Sequence, residues 1–242
     1  MKSKIDRIHE LSELLKSQKI TKDEFNTLKR EIIGSIDDQT GNTESIQEDF
    51  VYIVKHQSRY SRGALLMRSF FGIFYIVLPH FICLIPMTIV SMIYGFIAFW
   101  AILFTGRYPK GMYKFQLGIR RWRLKVSAVL GNLVDGYPSF GFKSDDSKLI
   151  FEMQQPEKLS RGKLILRAFF GFLYVYLPHM ICLIFMQIGA SFVSMIAFWA
   201  ILFTAKYPPG MHAFVVGVNR WWLRVDVYMS NLTDKYPPFS TK

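Results

Sequence analysis

The chain has 242 residues, 51% of them hydrophobic, a formal net charge of +12 and only two cysteines, Cys83 and Cys182. That balance excludes a disulfide-stapled secreted scaffold and a disordered polar chain. The positive excess lies beyond residue 50 and hugs apolar segments instead of forming a separate basic domain, which points to anionic lipid and away from nucleic acid.

The first dozen residues are charged and lack an apolar core, so no cleavable signal peptide is expected. Ile5, Ile8, Leu11, Leu14 and Leu15 fall at helical spacing. After a break at 17–20, Thr21 and Glu24 carry the signature of a capping box, and Phe25, Leu28 and Ile32 continue the apolar stripe. Residues 1–34 thus resemble the SHOCT motif, a short helical pair found in bacterial chains, and the resemblance implies self-association or docking. Residues 35–49 are polar and read as a flexible linker.

Phe50–Val54 and Lys148–Met153 are short β-prone runs that could pair as a small cytoplasmic sheet. Each precedes a block without Asp, Glu, Lys or Arg, Ser69 to Thr105 and Ala168 to Thr204. A membrane span needs about 20 apolar residues, so each block is too long for one ordinary span. Each reads as a hairpin of two helices, roughly 63–84 and 90–105, then 162–183 and 189–204, with turns near Thr88 to Gly95 and Gln187 to Ser194. Arg59, Arg62 and Arg68 precede the first block, and Arg107, Lys110 and Lys114 follow it. Basic residues mark the cytoplasmic side, so four spans with both termini inside are expected. The rival is a monotopic or re-entrant hairpin that never reaches the far side.

A turn at Tyr108-Pro-Lys-Gly-Met112 or Tyr207-Pro-Pro-Gly-Met211 leads into a third helix. Phe115, Ile119, Trp122, Val126, Val129 and Leu133 share one face amid Lys and Arg, as do Phe214, Val218, Trp221, Val225, Met229 and Leu232 in the second block. That pattern predicts an amphipathic helix in the headgroup plane, with Trp122, Trp221 and Trp222 as interfacial anchors. The expected fold is therefore an all-α integral membrane protein of two parallel repeats, 50–141 and 149–240.

Ser61 to Phe140 align with Ser160 to Phe239 without a gap, and about half of the positions are identical. Two copies with even crossings would share one orientation, related by a twofold axis along the membrane normal. Ser-Arg-Gly, Leu-Pro-His, Phe-Trp-Ala-Ile-Leu-Phe-Thr, Tyr-Pro-x-Gly-Met, Arg-Trp and Asp-x-Tyr-Pro-x-Phe recur in both copies. This set resembles bacterial domain-of-unknown-function family 4389, which implies a bacterial inner-membrane protein and carries no activity with it.

Arg62, Arg68, Arg107, Lys110, Arg161, Arg167 and Lys206 are the candidates to hold lipid phosphate. His80 with Cys83, and His179 with Cys182, are the intramembrane polar candidates, either a ligand set across the axis or partners for carbonyls freed by Pro79 and Pro178. Asp135 and Asp234 stand without a companion base or nucleophile and read as turn or salt-bridge residues, with Arg62 or Arg107 and their counterparts as partners. No catalytic residue, metal or cofactor is expected. The expected function is a scaffold or accessory subunit of a membrane complex. It would bind itself or another subunit through residues 1–34. The alternative is a lipid-handling or ion-conducting protein with its site between the copies.

Overall fold

The computed structural model of the protein describes residues 50–142 and 148–242. The helical pair expected at 1–34 and the linker expected at 35–49 lie outside the described residues. One order of elements occurs twice: β1 (Phe50–Val54), α1 (Arg62–Thr105) and α2 (Lys110–Leu130), then β2 (Leu149–Met153), α3 (Arg161–Thr204) and α4 (Pro209–Met229). The strands pair antiparallel, Val54 opposite Leu149 and Phe50 opposite Met153. This is the pairing expected from the two β-prone runs.

Neither apolar block is a hairpin. α1 and α3 are each 44 residues long, unbroken and apolar enough to cross a membrane. The expected turns vanish because their polar groups find helical partners. Thr88 Oγ1 donates to Leu84 O at 2.7 Å, and Ser191 Oγ donates to Gln187 O at 2.9 Å. Ser91 donates to Gln116 of α2 and accepts back from its amide. With nothing left to solvate, the chain has no reason to leave the helix.

The four-span topology and the parallel relation of the copies fall with the hairpins. Tyr60 N–H donates to Ala205 O and Leu159 N–H donates to Gly106 O, both at 2.8 Å. Arg62 reaches Phe203 O and Arg161 reaches Phe104 O. Each long helix therefore begins beside the other's end, and the two run antiparallel. α2 folds back along α1, bringing Gln116 to Ser91, Trp122 to His80 and Asn132 to Arg68.

Local chemistry fixes the ends. The Ser of Ser-Arg-Gly is an N-cap: Ser61 Oγ accepts from Ala64 N–H and Ser160 Oγ from Lys163 N–H. α1 stops at Gly106 with φ 72°, whereas α3 stops at Ala205 with φ 57°, a left-handed conformation that strains a Cβ. Ala205→Gly should therefore stabilise the protein by about 1 kcal/mol and Gly106→Ala destabilise it by a similar amount, read from paired unfolding midpoints.

Both long helices widen into one π-helical stretch, Ile73–Val77 and Phe172–Tyr176, immediately before Leu-Pro-His. A proline inside a helix has no N–H and crowds the carbonyl four residues back; a π turn makes that room. In the second half the stranded carbonyl is Tyr174 O, and Tyr236 Oη donates to it at 3.0 Å.

The inner stripe of α1 (Leu65, Arg68, Gly72, Ile76, His80, Ala98, Ile102) is buried, and Leu164, Val175, His179, Leu183, Ala197 and Ile201 make its counterpart on α3. The core lies between these stripes, α2, α4 and the sheet. α2 and α4 consequently spend much of the apolar face expected to meet the membrane on packing inside the protein. Ile119, Trp122, Val129, Val218, Trp221 and Val225 turn inward and are buried.

Candidate functional site

Three recurring motifs converge in each half on one histidine. Trp122 Nε1–H donates to His80 Nδ1 at 2.8 Å, and Trp221 Nε1–H donates to His179 Nδ1 at 2.9 Å. An indole nitrogen only donates, so Nδ1 carries no proton and each imidazole is the neutral Nε2–H tautomer. Phe140 stacks on His80 at 4.0 Å and Phe239 on His179 at 3.9 Å, with Tyr137 and Tyr236 at 5.4 Å. Leu-Pro-His supplies the ring, Arg-Trp the donor and Asp-x-Tyr-Pro-x-Phe the aromatic walls. The arginine of Arg-Trp turns the other way: Arg121 donates to Phe151 O of β2 and Arg220 to Tyr52 O of β1.

This corrects several expectations. The histidines accept from tryptophan, while Tyr236 takes the Tyr174 carbonyl, four residues before Pro178. Trp122 and Trp221 are buried core residues, not interfacial anchors, and Trp222 is half-buried between α2 and α4. His80 and His179 sit in the buried stripes while Cys83 and Cys182 are exposed, so each pair is split between two environments. Among the described residues no group of three or more His, Cys, Asp or Glu gathers as a metal site.

The Asp of Asp-x-Tyr-Pro-x-Phe closes a second cluster. Asp135 accepts from Ser61 N–H at 2.6 Å and from Arg68 at 2.8 Å, and Arg68 also donates to Asn132. Asp234 repeats the pattern with Ser160 N–H and Arg167, and Arg167 further reaches Tyr228 O and Thr233 O. Arg68 and Arg167 side chains are only 3% and 2% exposed. They are spent inside the protein and do not meet lipid phosphate, and they, not Arg62 or Arg107, are the partners of the two aspartates. Of the remaining phosphate candidates, Arg62 and Arg161 bond the ends of the opposite long helix, and Arg107, Lys110 and Lys206 are exposed.

A third cluster, which neither copy predicts from the other, joins the halves. Arg120 of α2 donates to Asp226 Oδ2 of α4 at 2.6 Å, to Ser230 Oγ and to Gln116. Beside it, α2, α4 and the π segment of α3 enclose a cleft of about 460 Å³ lined by Leu124, Ser127, Tyr176, Trp222 and Met229.

At the end of the long helices His212 donates through Nε2 to Leu133 O, and His56 through Nε2 to Tyr207 O, their rings 5.0 Å apart. Burial also pushes the nearby Tyr60 hydroxyl up to about 12. Burial lowers the His212 pKa most, the nearby His56 lowers it further, and the bond to Leu133 only partly offsets both. A histidine depressed in the folded state contributes stability that is full above the unfolded value of about 6.5 and is lost as pH falls below it. Unfolding midpoints should therefore drop between pH 7.5 and 5.5, and His212→Gln should flatten that part of the profile.

No curated protein and no solved structure matches the chain. The model of one family matches residues 164–241, from the first turn of α3 to the stacked Phe239 and just beyond, and by that match this stretch is a domain of unknown function (DUF4389).

Proposed function

We propose that the protein is a membrane-embedded scaffold or accessory subunit built from two copies of that domain, the first over residues 50–141. One observation carries the scaffold reading: the buried charged side chains Arg68, Arg167 and Arg120 join elements to one another, while the long helices turn large apolar side chains outward. Such a protein binds by surface. Arg107, Lys110 and Lys206 supply an anionic-lipid contact, and residues 1–34 recruit a second copy or another subunit. The bacterial inner membrane is its expected site, with both termini cytoplasmic.

The cleft beside Arg120 favours a second reading, lipid handling, since its volume falls in the range of ligand sites, about 300–1,000 Å³. Native mass spectrometry of protein extracted in mild detergent separates the two. A stoichiometric protein partner lost on deleting residues 1–34 supports the scaffold. A chain without such a partner that retains one lipid, and loses it in Trp222→Ala, moves the reading to lipid handling.

A further inference from the structure

We propose that α1 and α3 do not cross the bilayer but lie along it, immersed side by side in the hydrocarbon of a single leaflet, with α2, α4 and the sheet on the polar side. This deepens the membrane-embedded reading and rests on it; the occupant of the outer helix faces is the acyl chains of one leaflet.

Length speaks first. An unbroken helix of 44 residues is about 66 Å long, against about 30 Å of hydrocarbon. Crossing would require a tilt of about 60°, whereas spanning helices tilt by about 0–40°. The exposed apolar side chains do not form a band of membrane thickness. On α1 they run from Phe70 through Phe81, Ile89 and Phe96 to Phe104, and on α3 from Phe169 to Phe203, which is nearly the whole length of each helix.

Charge placement agrees. Arg123 of α2 donates to Thr88, close to the middle of α1, and Arg120 with Asp226 lies one turn away. In a crossing orientation these groups would sit near the bilayer centre, where each Arg costs about 2.5–3.5 kcal/mol even on the lowest scale. Laid flat, the same groups are at the headgroups or above them.

The ends complete the case. Antiparallel helices place exposed Arg59, Arg62 and Lys206 at one end of the pair and Arg107, Lys110 and Lys163 at the other. A crossing pair would set cations on both faces of the membrane, against the bias toward one side. In-plane helices put all of them at a single surface, within reach of anionic headgroups.

The test uses the full chain with Cys182→Ser, carrying one thiol at a time: Met67→Cys, the native Cys83, or Phe104→Cys, with Cys83→Ser where another site is probed. All three positions are exposed. Each is labelled with a small fluorophore in vesicles of phosphatidylcholine and phosphatidylglycerol, and its depth is read from quenching by lipids brominated at different chain positions. The expected result is one common depth, about 5–10 Å below the headgroup boundary, on the same side for all three. A shallow–deep–shallow series, with 67 and 104 open to impermeant thiol reagents from opposite sides, would overturn the inference and leave membrane embedding intact. No quenching at any position would overturn both.

Discussion

Asp135→Ala should lower the unfolding midpoint by about 10 °C, because it removes the carboxylate that, among the described residues, pairs with a guanidinium that is 3% exposed. Deleting one member of a buried ion pair typically costs about 3–5 kcal/mol, since the other charge stays behind without water or counter-charge. Here the loss is compounded: the same carboxylate accepts Ser61 N–H, so α1 also loses an interaction at its first turn. The second change to make is Asp135→Leu with Arg68→Met. If burial of an unpaired charge is the cause, the double variant recovers most of the loss. Equal midpoints for single and double variants would show instead that the contact to Ser61 dominates. Asp234 and Arg167 should repeat the pattern with a similar magnitude, read by circular dichroism in detergent.

Trp122→Ala should cost about 3–5 kcal/mol, the usual range for truncating a buried aromatic. Trp122→Phe keeps most of the volume but leaves His80 Nδ1 without its donor, and should cost about 1–3 kcal/mol. The cycle with His80→Leu isolates the bond: a coupling of about 0.5–3 kcal/mol between positions 80 and 122 is expected. Additive losses would mean that the ring is held by its aromatic neighbours Phe140 and Tyr137 and not by the tryptophan bond. Trp221 and His179 give an independent repeat in the same molecule.

Much of this fold was legible because its signals are local. β-prone runs marked both strands, and charge-free blocks marked the apolar helical segments, though each block is one long helix and not the expected hairpin. What was not legible depended on partners distant in sequence. Thr88 and Ser91 read equally as turn formers or as helix residues with bonded hydroxyls, and the contact that decides for Ser91 comes from Gln116. Arg68 at the edge of an apolar block looks like a snorkelling side chain until Asp135, 67 residues on, is seen to face it. One signal was available: Arg167 and Asp234 keep the same separation of 67 residues, so the two residue types recur as a fixed pair. His80 and Cys83 seemed to share a face, yet three residues turn a helix by about 300°, enough to carry the cysteine out of a narrow buried stripe.

The π-helical stretches set a rule of inheritance for this protein: their residue types can drift, and their one extra residue is the place where the long helices can change length without changing face. Ile73-Phe-Tyr-Ile-Val77 and Phe172-Leu-Tyr-Val-Tyr176 share only the central tyrosine, yet both number five. Each π stretch closes on an i→i−5 bond, Leu78 N–H to Ile73 O and Leu177 N–H to Phe172 O, so losing one residue there would restore the i→i−4 ladder and keep the face of the helix that follows, at the cost of the room made for Pro79 or Pro178. A deletion of a single codon in this segment is thus absorbed by the bulge, whereas the same deletion within Leu78–Thr105 would turn every later residue of that helix by about 100° and redraw its outer face.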